Sequence, residues 1–429
     1  MHIVKKTGNI IIAGGGAAGL MAAKELSGQG YPVIILEASD RLGGRIHTVR
    51  NSSFKQPIEK GVEFIHGNLP LTIQILKEAG IGYSPAKGNM IRVINDEWKN
   101  QDDFTLGWEE IMRRMNEVRE DITMDEFLKE YFSDEKYEGL RRSVIRFSEG
   151  FDAADTRRAS LLALREEWMS EEGEQYRIHS GYDQLVNYLE KKCLESGCVI
   201  HTSSAVVEIK WQRDAISVTT SEGSIFYGEK IIIAVPLGQL QKKETIIFEP
   251  EINSYLEAAK NIGYGSVVKI MLEFKEAFWE EKKKNIGFIL SNEVIPTWWT
   301  QSPSSYPLLT GWAGGPQAWS IEKNDDETIL DLALQSLSNI FKKSVLALRG
   351  ILTASLVANW SKDPYSNGAY SYSLPGYAEI QKRFNTPIED TIFFAGEAFY
   401  EGASPGTVEA ALVSGKNAAG KIMKKQLEE

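Results

Sequence analysis

Three glycines near the start of the chain have the spacing of a phosphate-binding turn. Gly14, Gly16 and Gly19 form the pattern G-x-G-x-x-G between an apolar run and an amphipathic stretch in "NIIIAGGGAAGLMAAKEL". Such a turn lets the backbone approach a pyrophosphate at the start of a helix. Glu37 ends the next apolar run, eighteen residues after Gly19, where a carboxylate can accept hydrogen bonds from a ribose diol. The residues predict a βαβ unit that binds a dinucleotide, with a plain structural turn as the alternative.

A second candidate for chemistry is one lysine inside an apolar strand, "YGSVVKIMLEF" at 264–274. Side chains at spacing two share a face, so the even positions from Val268 to Phe274 form an apolar side. Lys269 and Glu273 fall on the other side, and on the pattern alone that side faces water. A buried lysine is costly unless it is hydrogen-bonded or paired, so burial of Lys269 would indicate a specific role.

The run E-A-x-x-R-x-G-G-R, which begins at Glu37 in "EASDRLGGRIHT", resembles the FAD-containing oxidases and desaturases of the flavin amine oxidase family. In that family the second glycine pair and the arginine meet the cofactor diphosphate. The resemblance implies this role for Gly43, Gly44 and Arg45. The chemistry agrees, because glycines free backbone N–H groups for phosphate oxygens and arginine adds a bidentate cation. Arg41 could join them or be an ordinary surface charge.

The segment "DTIFFAGEAFYEGASPGTVEAALVSGKNAAGKI" resembles the closing block of the same family and reads as a buried strand, a loop and a helix. The resemblance implies that Glu397 meets the ribityl-diphosphate and that the helix starting at Gly406–Thr407 points at the isoalloxazine. The positive end of that helix would stabilise negative charge on the reduced ring. "TSSAVVEIKW" and "KIIIAVPLGQL" resemble the family's middle strands, the first meeting adenine near Val206, although each could be only buried β-structure.

"EKGVEFIHG" at 59–67 resembles the segment that passes the flavin ring. In polyamine oxidases this stretch commonly ends in I-H-G, as it does here with His66. Related amino-acid oxidases usually carry an arginine where Phe64 stands, because a substrate carboxylate needs a bidentate partner. The sequence therefore favours amines over amino acids, and His66 is either a site residue or an ordinary packed one.

"NWSKDPYSNGAYSYS" at 359–373 resembles the stretch that precedes the flavin. Ala369 stands where monoamine oxidases place the cysteine that bonds to FAD, which implies noncovalent FAD. Tyr370 matches one aromatic wall in front of the ring, and Thr407 replaces the other, as in the lysine-specific histone demethylase and some polyamine oxidases. Tyr370 and Trp360 could instead be core aromatics.

The family also carries a lysine in a strand like that of Lys269, hydrogen-bonded through water to flavin N5. The resemblance thus implies that Lys269 faces the flavin, where a cation could stabilise the charge that develops when reduced flavin meets oxygen. The predicted catalytic residues are Lys269, Tyr370, Thr407, His66 and Trp360. The predicted cofactor-binding residues are Gly14, Gly15, Gly16, Ala17, Ala18, Gly19, Glu37, Ala38, Arg41, Gly43, Gly44, Arg45, Val62, Glu63, Phe64, Val206, Trp360, Gly396, Glu397, Gly406, Thr407 and Val408.

The predicted function is FAD-dependent oxidation of a polyamine or another primary or secondary amine. The resemblance implies hydride transfer from the amine α-carbon to flavin N5, then reoxidation by O2 to give H2O2, an aldehyde and ammonia or a smaller amine. The alternatives are an L-amino-acid oxidase or a flavin desaturase on the same scaffold, and a non-catalytic FAD-binding protein.

The elements that must position these residues indicate an α/β protein with two domains, each discontinuous in sequence. A Rossmann-like FAD-binding domain is predicted for 1–69, 176–274 and 385–429. An α+β substrate-binding domain is predicted for 70–175 and 275–384. A chain of 429 residues with 42% hydrophobic composition is long enough for two cores.

Composition narrows the partners further. A net charge of -11 and a pI near 5.3 argue against nucleic acid or an anionic membrane as the main partner. Two cysteines fit a reducing compartment and a cytoplasmic location. No stretch approaches the roughly 20 apolar residues that cross a bilayer. The expected partners are a small amine and O2; no metal site is predicted, and the oligomeric state is left open.

Overall fold

A five-stranded parallel sheet carries the glycine turn. The computed structural model describes residues 8–67, 69–100, 107–170, 174–402 and 404–425. The strands, in spatial order, are Val199–His201, Val33–Leu36, Ile10–Ala13, Lys230–Ile233 and Ile392–Phe394. Along the central strand, Ile10 and Ile12 pack into one core while Ile11 and Ala13 pack into another. The apolar run therefore lies between two covered faces, as parallel sheets require.

Two helices start at the carboxyl edge of this sheet. Ala17–Gly28 follows the central strand, and Val408–Lys425 follows the last strand of the sheet. The two helices pack closely, because a Cβ on Gly415 would lie only 2.1 Å from the Ala18 carbonyl oxygen. Both N-termini consequently lie at one edge of the sheet, the edge at which open α/β sheets bind ligands.

A seven-stranded mixed sheet forms the second main layer. Its strands, in spatial order, are Leu352–Asn359, Val267–Phe274, Leu308–Gly314, Thr297–Trp299, Ile286–Leu290, Asn89–Ile94 and Glu97–Asn100. The even positions of Val267–Phe274 pack into a core with the helix Asp326–Phe341, as the alternation predicts.

The other side of Val267–Phe274 does not face water. All eight residues of this strand are buried, and Lys269 and Glu273 are 1% and 0% exposed. Glu273 accepts hydrogen bonds from the Lys55 backbone N–H at 3.0 Å and from Thr353. The solvated-face interpretation is therefore wrong, because elements distant in sequence cover the polar side of the strand.

Smaller sheets and further helices complete the fold. The four-stranded sheet contains Ile225–Gly228, Ala215–Thr220, Val206–Gln212 and Ile247–Glu249; the three-stranded sheet contains Phe64–His66, Gln175–Ile178 and Tyr83–Pro85; the pairs are Gly263–Tyr264 with Ser371–Tyr372 and Thr48–Val49 with Ile58–Glu59. The other α-helices are Pro70–Ala79, Trp108–Met115, Met124–Tyr131, Glu138–Gly150, Leu161–Ser170, Asp183–Glu195, Leu237–Gln241, Asn253–Ala259, Gly315–Ile321, Val345–Ile351 and Tyr377–Asn385. The 3-10 helices are Glu135–Tyr137, Phe278–Glu281 and Glu397–Phe399.

The fold is α/β, with a Rossmann-like parallel sheet beside a second, mixed sheet, as predicted. The boundaries of the two domains stay a prediction. Residues 1–7 and 426–429, which were assigned to the FAD-binding domain, lie outside the described residues. Val267–Phe274, predicted to close the second FAD-binding segment, pairs with strands of the seven-stranded sheet. Within the described ranges, no helix combines the length and apolar character needed to span a bilayer.

Candidate active site

One continuous cavity runs from the glycine turn, past Lys269, to the helix Glu138–Gly150. Elements of both main sheets contribute to its wall. The predicted residues that line it are Gly14, Gly16, Ala17, Ala18, Glu37, Ala38, Arg41, Gly43, Gly44, Arg45, Val62, Glu63, Phe64, His66, Val206, Lys269, Trp360, Tyr370, Gly396, Glu397, Gly406, Thr407 and Val408. The fold thus brings together segments that are as far apart as the two ends of the chain.

Gly15 and Gly19 are the predicted residues that do not line the cavity. The Gly15 backbone N–H donates to Glu37 Oε2 at 2.6 Å, which ties the turn to the second strand. A Cβ on Gly19 would lie 1.9 Å from the Gly14 carbonyl oxygen. Both residues shape the turn, since one supplies a hydrogen bond and the other lets the helix approach the strand.

Neither the backbone conformation nor the packing of the protein requires a glycine at position 16, but a bound dinucleotide would. Its φ of -77° suits any residue, and a Cβ there would meet no protein atom within 4 Å. It stands at the start of the helix Ala17–Gly28, where the backbone N–H groups attract an anion. The space beside Gly16 is therefore open on the side of the cavity, where a pyrophosphate would fit.

The Glu37 carboxylate is buried at the end of its strand and holds the turn together. Its Oε2 accepts from Gly15 and its Oε1 accepts from the Ser39 backbone N–H at 2.8 Å. A carboxylate has about four acceptor positions, so these two bonds leave room for a ribose hydroxyl.

Arg45 and Glu397 form an ion pair between the first and last segments of the chain. Arg45 Nη1 lies 2.8 Å from Glu397 Oε1 and also donates to the Ala369 carbonyl oxygen. Glu397 Oε2 accepts from the Ser371 backbone N–H at 3.3 Å. Both predicted cofactor residues therefore line the cavity while fixing each other in place.

Arg41 is more than a surface charge. Its guanidinium donates to the carbonyl oxygens of Leu42 and Ile46 at 3.2 Å and of Gly44 at 2.8 Å. These bonds stabilise the second glycine turn, where Gly43 and Gly44 have φ values of 99° and 57°. Arg41 thereby positions the backbone that would face the diphosphate.

Lys269 is held by a buried counter-ion, Glu63. Lys269 Nζ lies 2.9 Å from Glu63 Oε2 and 3.1 Å from the Gly61 carbonyl oxygen. Glu63 also accepts from Arg177 Nε and Trp299 Nε1, each at 3.0 Å. Burial opposes ionisation of Glu63, but the charges of Lys269 and Arg177 outweigh it and lower the pKa to about 2. Glu63 is therefore an ionised carboxylate shared by two cations.

His66 and Gln175 place two acceptors in the cavity. His66 and Gln175 lie opposite each other on neighbouring antiparallel strands, and both residues line the cavity. Burial lowers the pKa of His66 to about 4, so the imidazole is neutral near pH 7. His66 Nδ1 and Gln175 Oε1 are buried and have no hydrogen-bond partner among the described residues. Such atoms are expected to be satisfied by a bound molecule.

Aromatic rings surround these two acceptors. The His66 ring stands edge-on to Phe151 at 5.3 Å, and Phe64 lies 5.6 Å from Trp299 and 5.9 Å from Phe288. The Tyr370 hydroxyl donates to the Phe151 carbonyl oxygen, which fixes this ring at the wall. The wall is apolar enough to exclude water around a small ligand.

Trp360 and Thr407 complete the predicted set. Trp360 is buried, and its Nε1 donates to the Lys60 carbonyl oxygen at 3.0 Å. Thr407 Oγ1 accepts from the Ala410 backbone N–H at 3.1 Å and donates to the Ser404 carbonyl oxygen at 2.7 Å. Thr407 thus caps the helix Val408–Lys425 and holds its N-terminus at the cavity.

Several residues of the cavity wall belong to no recognisable sequence motif. Arg177, Trp299 and Phe288 come from stretches of ordinary strand pattern, and pairing in the sheets brings them to Glu63 and Phe64. The one available signal was the unusual aromatic density around 298–312. Among the described residues, no three His, Cys, Asp or Glu side chains are grouped to hold a metal ion.

The family model of flavin containing amine oxidoreductases matches residues 17–423. The chain belongs to this family. FAD is accordingly the cofactor of this enzyme, and its reaction is FAD-dependent oxidation of an amine. The open space at Gly16, the two glycine turns and the Arg45–Glu397 pair are the parts of this chain that would hold the FAD.

Named relatives of this oxidoreductase align with nearly the whole of its sequence. "Polyamine oxidase 2" of Arabidopsis thaliana is 28% identical over 96% of this chain and 87% of its own length. "Lysine-specific histone demethylase 2" of Homo sapiens is 26% identical over 96% of this chain and 53% of its own. These relatives are similar to the enzyme over nearly its whole length, and the family assignment rests on the family model.

Solved structures share the fold of the oxidoreductase. A putrescine oxidase bound to putrescine superposes with a TM-score of 0.82 at 17% identity, covering 97% of this chain and 99% of that one. Cyclohexylamine oxidase from Brevibacterium oxydans IH-35A superposes with a TM-score of 0.81 at 20% identity, covering 98% and 100%. At these identities the likeness establishes the arrangement of the two main sheets.

Proposed function

We propose that this enzyme oxidises a small primary or secondary amine at its α-carbon, with O2 as the final acceptor and H2O2, an aldehyde and a smaller amine or ammonia as products. The observation that carries the proposal is the pair of unsatisfied acceptors, His66 Nδ1 and Gln175 Oε1, inside an aromatic wall beside Lys269. The names of the related polyamine and putrescine oxidases support the same substrate class.

The residues of the chain prepare the amine for reaction. The aromatic wall disfavours a charged ligand, so the amine is bound in its neutral form. With the imidazole proton on Nε2, His66 Nδ1 and Gln175 Oε1 are both acceptors: a neutral primary amine donates to both, and a neutral secondary amine, which has one N–H, donates to one of them. FAD, when bound, supplies the two-electron acceptor for the hydride that leaves the α-carbon. The resulting imine takes up water and splits into the aldehyde and either ammonia, from a primary amine, or a smaller amine, from a secondary amine.

The experiment is an anaerobic titration of the purified holoenzyme with primary amines, secondary amines and polyamines. Loss of the visible flavin absorption on adding an amine, and release of peroxide when air is admitted, are the expected results. Bleaching by L-amino acids alone would favour an amino-acid oxidase. Bleaching by apolar polyenes alone would favour a desaturase, and no bleaching across the panel would favour a non-catalytic FAD-binding protein.

His66 is expected to position the amine without transferring a proton. His66→Gln should lower kcat/KM for the amine by about tenfold or less, the worth of one neutral hydrogen bond. Because the pKa of His66 is about 4, the rise of kcat/KM with pH should follow the amine, whose pKa is near 10, in both proteins. A loss of a hundredfold or more, or an inflection near pH 6 that the variant abolishes, would mean that His66 acts as a base.

Lys269 is expected to assist the reaction with oxygen. Its ammonium lies at the cavity wall, and a cation there stabilises the negative charge that O2 acquires on reduction. Lys269→Met should retain FAD and amine-driven bleaching, while the return of the flavin absorption in air slows roughly tenfold or more. Rapid mixing of the bleached variant with aerated buffer measures this rate. An unchanged rate would show that Lys269 does not assist the reaction with oxygen.

FAD is expected to be held without a covalent bond. Ala369 lines the cavity and has no nucleophilic side chain. Acid precipitation of the holoenzyme should therefore release all of the flavin into the supernatant, as measured by its absorption. Colour retained in the protein pellet would show a covalent link elsewhere.

We also propose a cytoplasmic location. Support comes from the two cysteines, Cys193 and Cys198, which are both buried and free. Fractionation of the native cells with detection of the enzyme tests it.

A further inference from the structure

Arg177 holds the second oxygen of the carboxylate that pairs with Lys269. Lys269 Nζ lies 2.9 Å from Glu63 Oε2, whereas Arg177 Nε donates to Glu63 Oε1 at 3.0 Å. The side chains of Lys269, Glu63 and Arg177 are 1%, 8% and 16% exposed, so solvent screens their charges weakly. We call these three residues the charge triad.

The charge triad contains two cations and one anion. Glu63 is ionised, because the charges of Lys269 and Arg177 lower its pKa to about 2 against the effect of burial. One carboxylate therefore faces both an ammonium and a guanidinium, which leaves one excess positive charge. Lys269 and Glu63 by themselves would form a neutral pair, in which the attraction of the ammonium for an anion is largely cancelled by the carboxylate. The excess charge of the triad thus depends on Arg177.

The guanidinium of Arg177 is fixed behind the cavity wall. Its Nη1 donates to the Ser302 carbonyl oxygen at 3.0 Å, and its Nη2 donates to the Thr300 carbonyl oxygen at 2.9 Å. The group also lies over the ring of Phe64, 4.5 Å from the ring centroid. Phe64, Glu63 and Lys269 line the cavity, whereas Arg177 does not. Arg177 therefore acts on the cavity through Glu63 and not by contact with a ligand.

Two neutral donors orient the same carboxylate. Glu63 Oε1 also accepts from Trp299 Nε1 at 3.0 Å and from Gln301 Nε2 at 3.3 Å. These hydrogen bonds hold the carboxylate in place without contributing charge. Orientation of Glu63 is thus shared among several residues, while neutralisation of its charge on this side comes from Arg177.

The other described acidic groups near the triad cancel only part of its excess charge. Burial raises the pKa of Glu59 to about 7, so this carboxyl group is about half ionised at neutral pH. Glu273 lies 3.9 Å from Lys55 Nζ, and Glu397 lies 2.8 Å from Arg45 Nη1. Glu59 therefore offsets part of the charge, and Glu273 and Glu397 have cations of their own.

We propose that Arg177 is a positioning residue for the reaction with oxygen: it neutralises Glu63, so that the ammonium of Lys269 presents a net positive charge to the cavity. A net cation stabilises negative charge on the reduced ring and on O2, whereas a neutral ion pair does so weakly. The inference rests on the proposed oxidation with O2 as the final acceptor. It extends the assistance expected of Lys269 to a residue that no ligand touches.

The first experiment uses holoenzyme that is reduced with dithionite in the absence of any amine. In Arg177→Gln the midpoint potential of the flavin, measured against a reference dye, should fall, and the return of the flavin absorption in air should slow about tenfold. Arg177→Lys keeps the charge, so its rate should stay within about threefold of that of the unaltered enzyme. Arg50→Gln is the matched control, since Arg50 binds a carboxylate and a carbonyl oxygen away from the cavity wall, those of Asp183 and Ser180. The control should change neither quantity.

A double variant separates charge from packing. Arg177→Gln combined with Glu63→Gln leaves Lys269 as the net charge, so this protein should react with O2 at least about fivefold faster than Arg177→Gln alone. Loss of the contact between the guanidinium and Phe64 would persist in the double variant and would not be rescued. The comparison is made at pH 6, where most of Glu59 is protonated because its pKa is about 7.

The outcomes distinguish this inference from the proposed amine oxidation, because no amine takes part in these measurements. If no amine bleaches the flavin but the variants behave as expected, the oxidation proposal fails and the role of Arg177 stands. If amines bleach the flavin but Arg177→Gln changes neither the potential nor the rate, the role of Arg177 is overturned and amine oxidation stands. A double variant as slow as Arg177→Gln overturns the role as well. Should the double variant not fold, the comparison of Arg177→Gln with Arg177→Lys decides, and equal rates in these two variants overturn it.

Discussion

Replacing Glu63 with glutamine is expected to lower the free energy of unfolding by about 3–5 kcal/mol, the usual loss when one member of a buried ion pair is removed. The substitution keeps the shape of the side chain but removes the charge that Lys269 and Arg177 share. Lys269 is 1% exposed, so bulk solvent cannot replace the lost charge of Glu63. Urea unfolding of the unaltered enzyme and the variant, both loaded with FAD, measures the difference.

The difference should depend on pH in one direction. The pKa of Glu63 is lowered in the folded state from 4.5 to about 2. Its stabilising effect is therefore complete above about pH 5 and is lost as the pH falls from about 4.5 towards 2. The gap between the unaltered enzyme and Glu63→Gln should narrow over that interval, and a gap independent of pH would contradict the ionised state of Glu63.

Glu138→Gln is the control for this experiment. Glu138 is a surface carboxylate that pairs with Arg142 four residues along one helix, and both side chains are more than half exposed. Removing an exposed pair of this kind changes the free energy of unfolding by less than about 1 kcal/mol. An equal loss from both substitutions would show that burial adds nothing at Glu63.

Replacing Gly16 with valine is expected to remove FAD while leaving the apoprotein as stable as before. The backbone of Gly16 is extended and suits a β-branched residue, and its Cβ position is clear of every protein atom within 4 Å. The valine side chain would instead fill the space at the start of the helix where the pyrophosphate fits. We expect FAD affinity to fall at least about tenfold, measured by fluorescence titration of apoprotein, with an unchanged melting temperature of the apoprotein.

Gly19→Ala gives the contrasting result. Its new Cβ would lie 1.9 Å from the Gly14 carbonyl oxygen, so the helix and strand must separate to admit it. This variant should lose stability even without FAD, by the 1–3 kcal/mol typical of an overpacked interior. If Gly16→Val lowers the melting temperature of the apoprotein as much as Gly19→Ala does, the space at Gly16 serves packing and not the cofactor.

Local pattern was sufficient to predict the strand, the glycine turn and the helix at one end of the cavity. The turn at Gly14, the strand before it and the helix after it are consecutive in sequence, so period and glycine spacing determine them. The helix start at Gly406–Thr407 was equally predictable, because a helix start depends on a few neighbouring residues.

Contacts between distant segments were not predictable in the same way. Lys269 lines the cavity, which strand alternation does not predict, because alternation alone places that side of the strand in water. Its counter-ion Glu63 lies 206 residues away along the chain. Arg177 and Trp299 reach Glu63 because pairing in the sheets brings them there, and neither strand pattern carries a local sign of this contact.

The ion pair between Arg45 and Glu397 has a consequence for biosynthesis. The wall of the cofactor cavity contains residues from the first sixty positions of the chain together with Glu397, Gly406 and Thr407. The helix Val408–Lys425 also packs on the helix Ala17–Gly28. Chains emerge from the ribosome at about 5–20 residues per second, so the N-terminal half waits many seconds for its partner. We therefore expect the glycine turn to be synthesised before the chain can retain a nucleotide, and flavin to be loaded only after the helix Val408–Lys425 has been made.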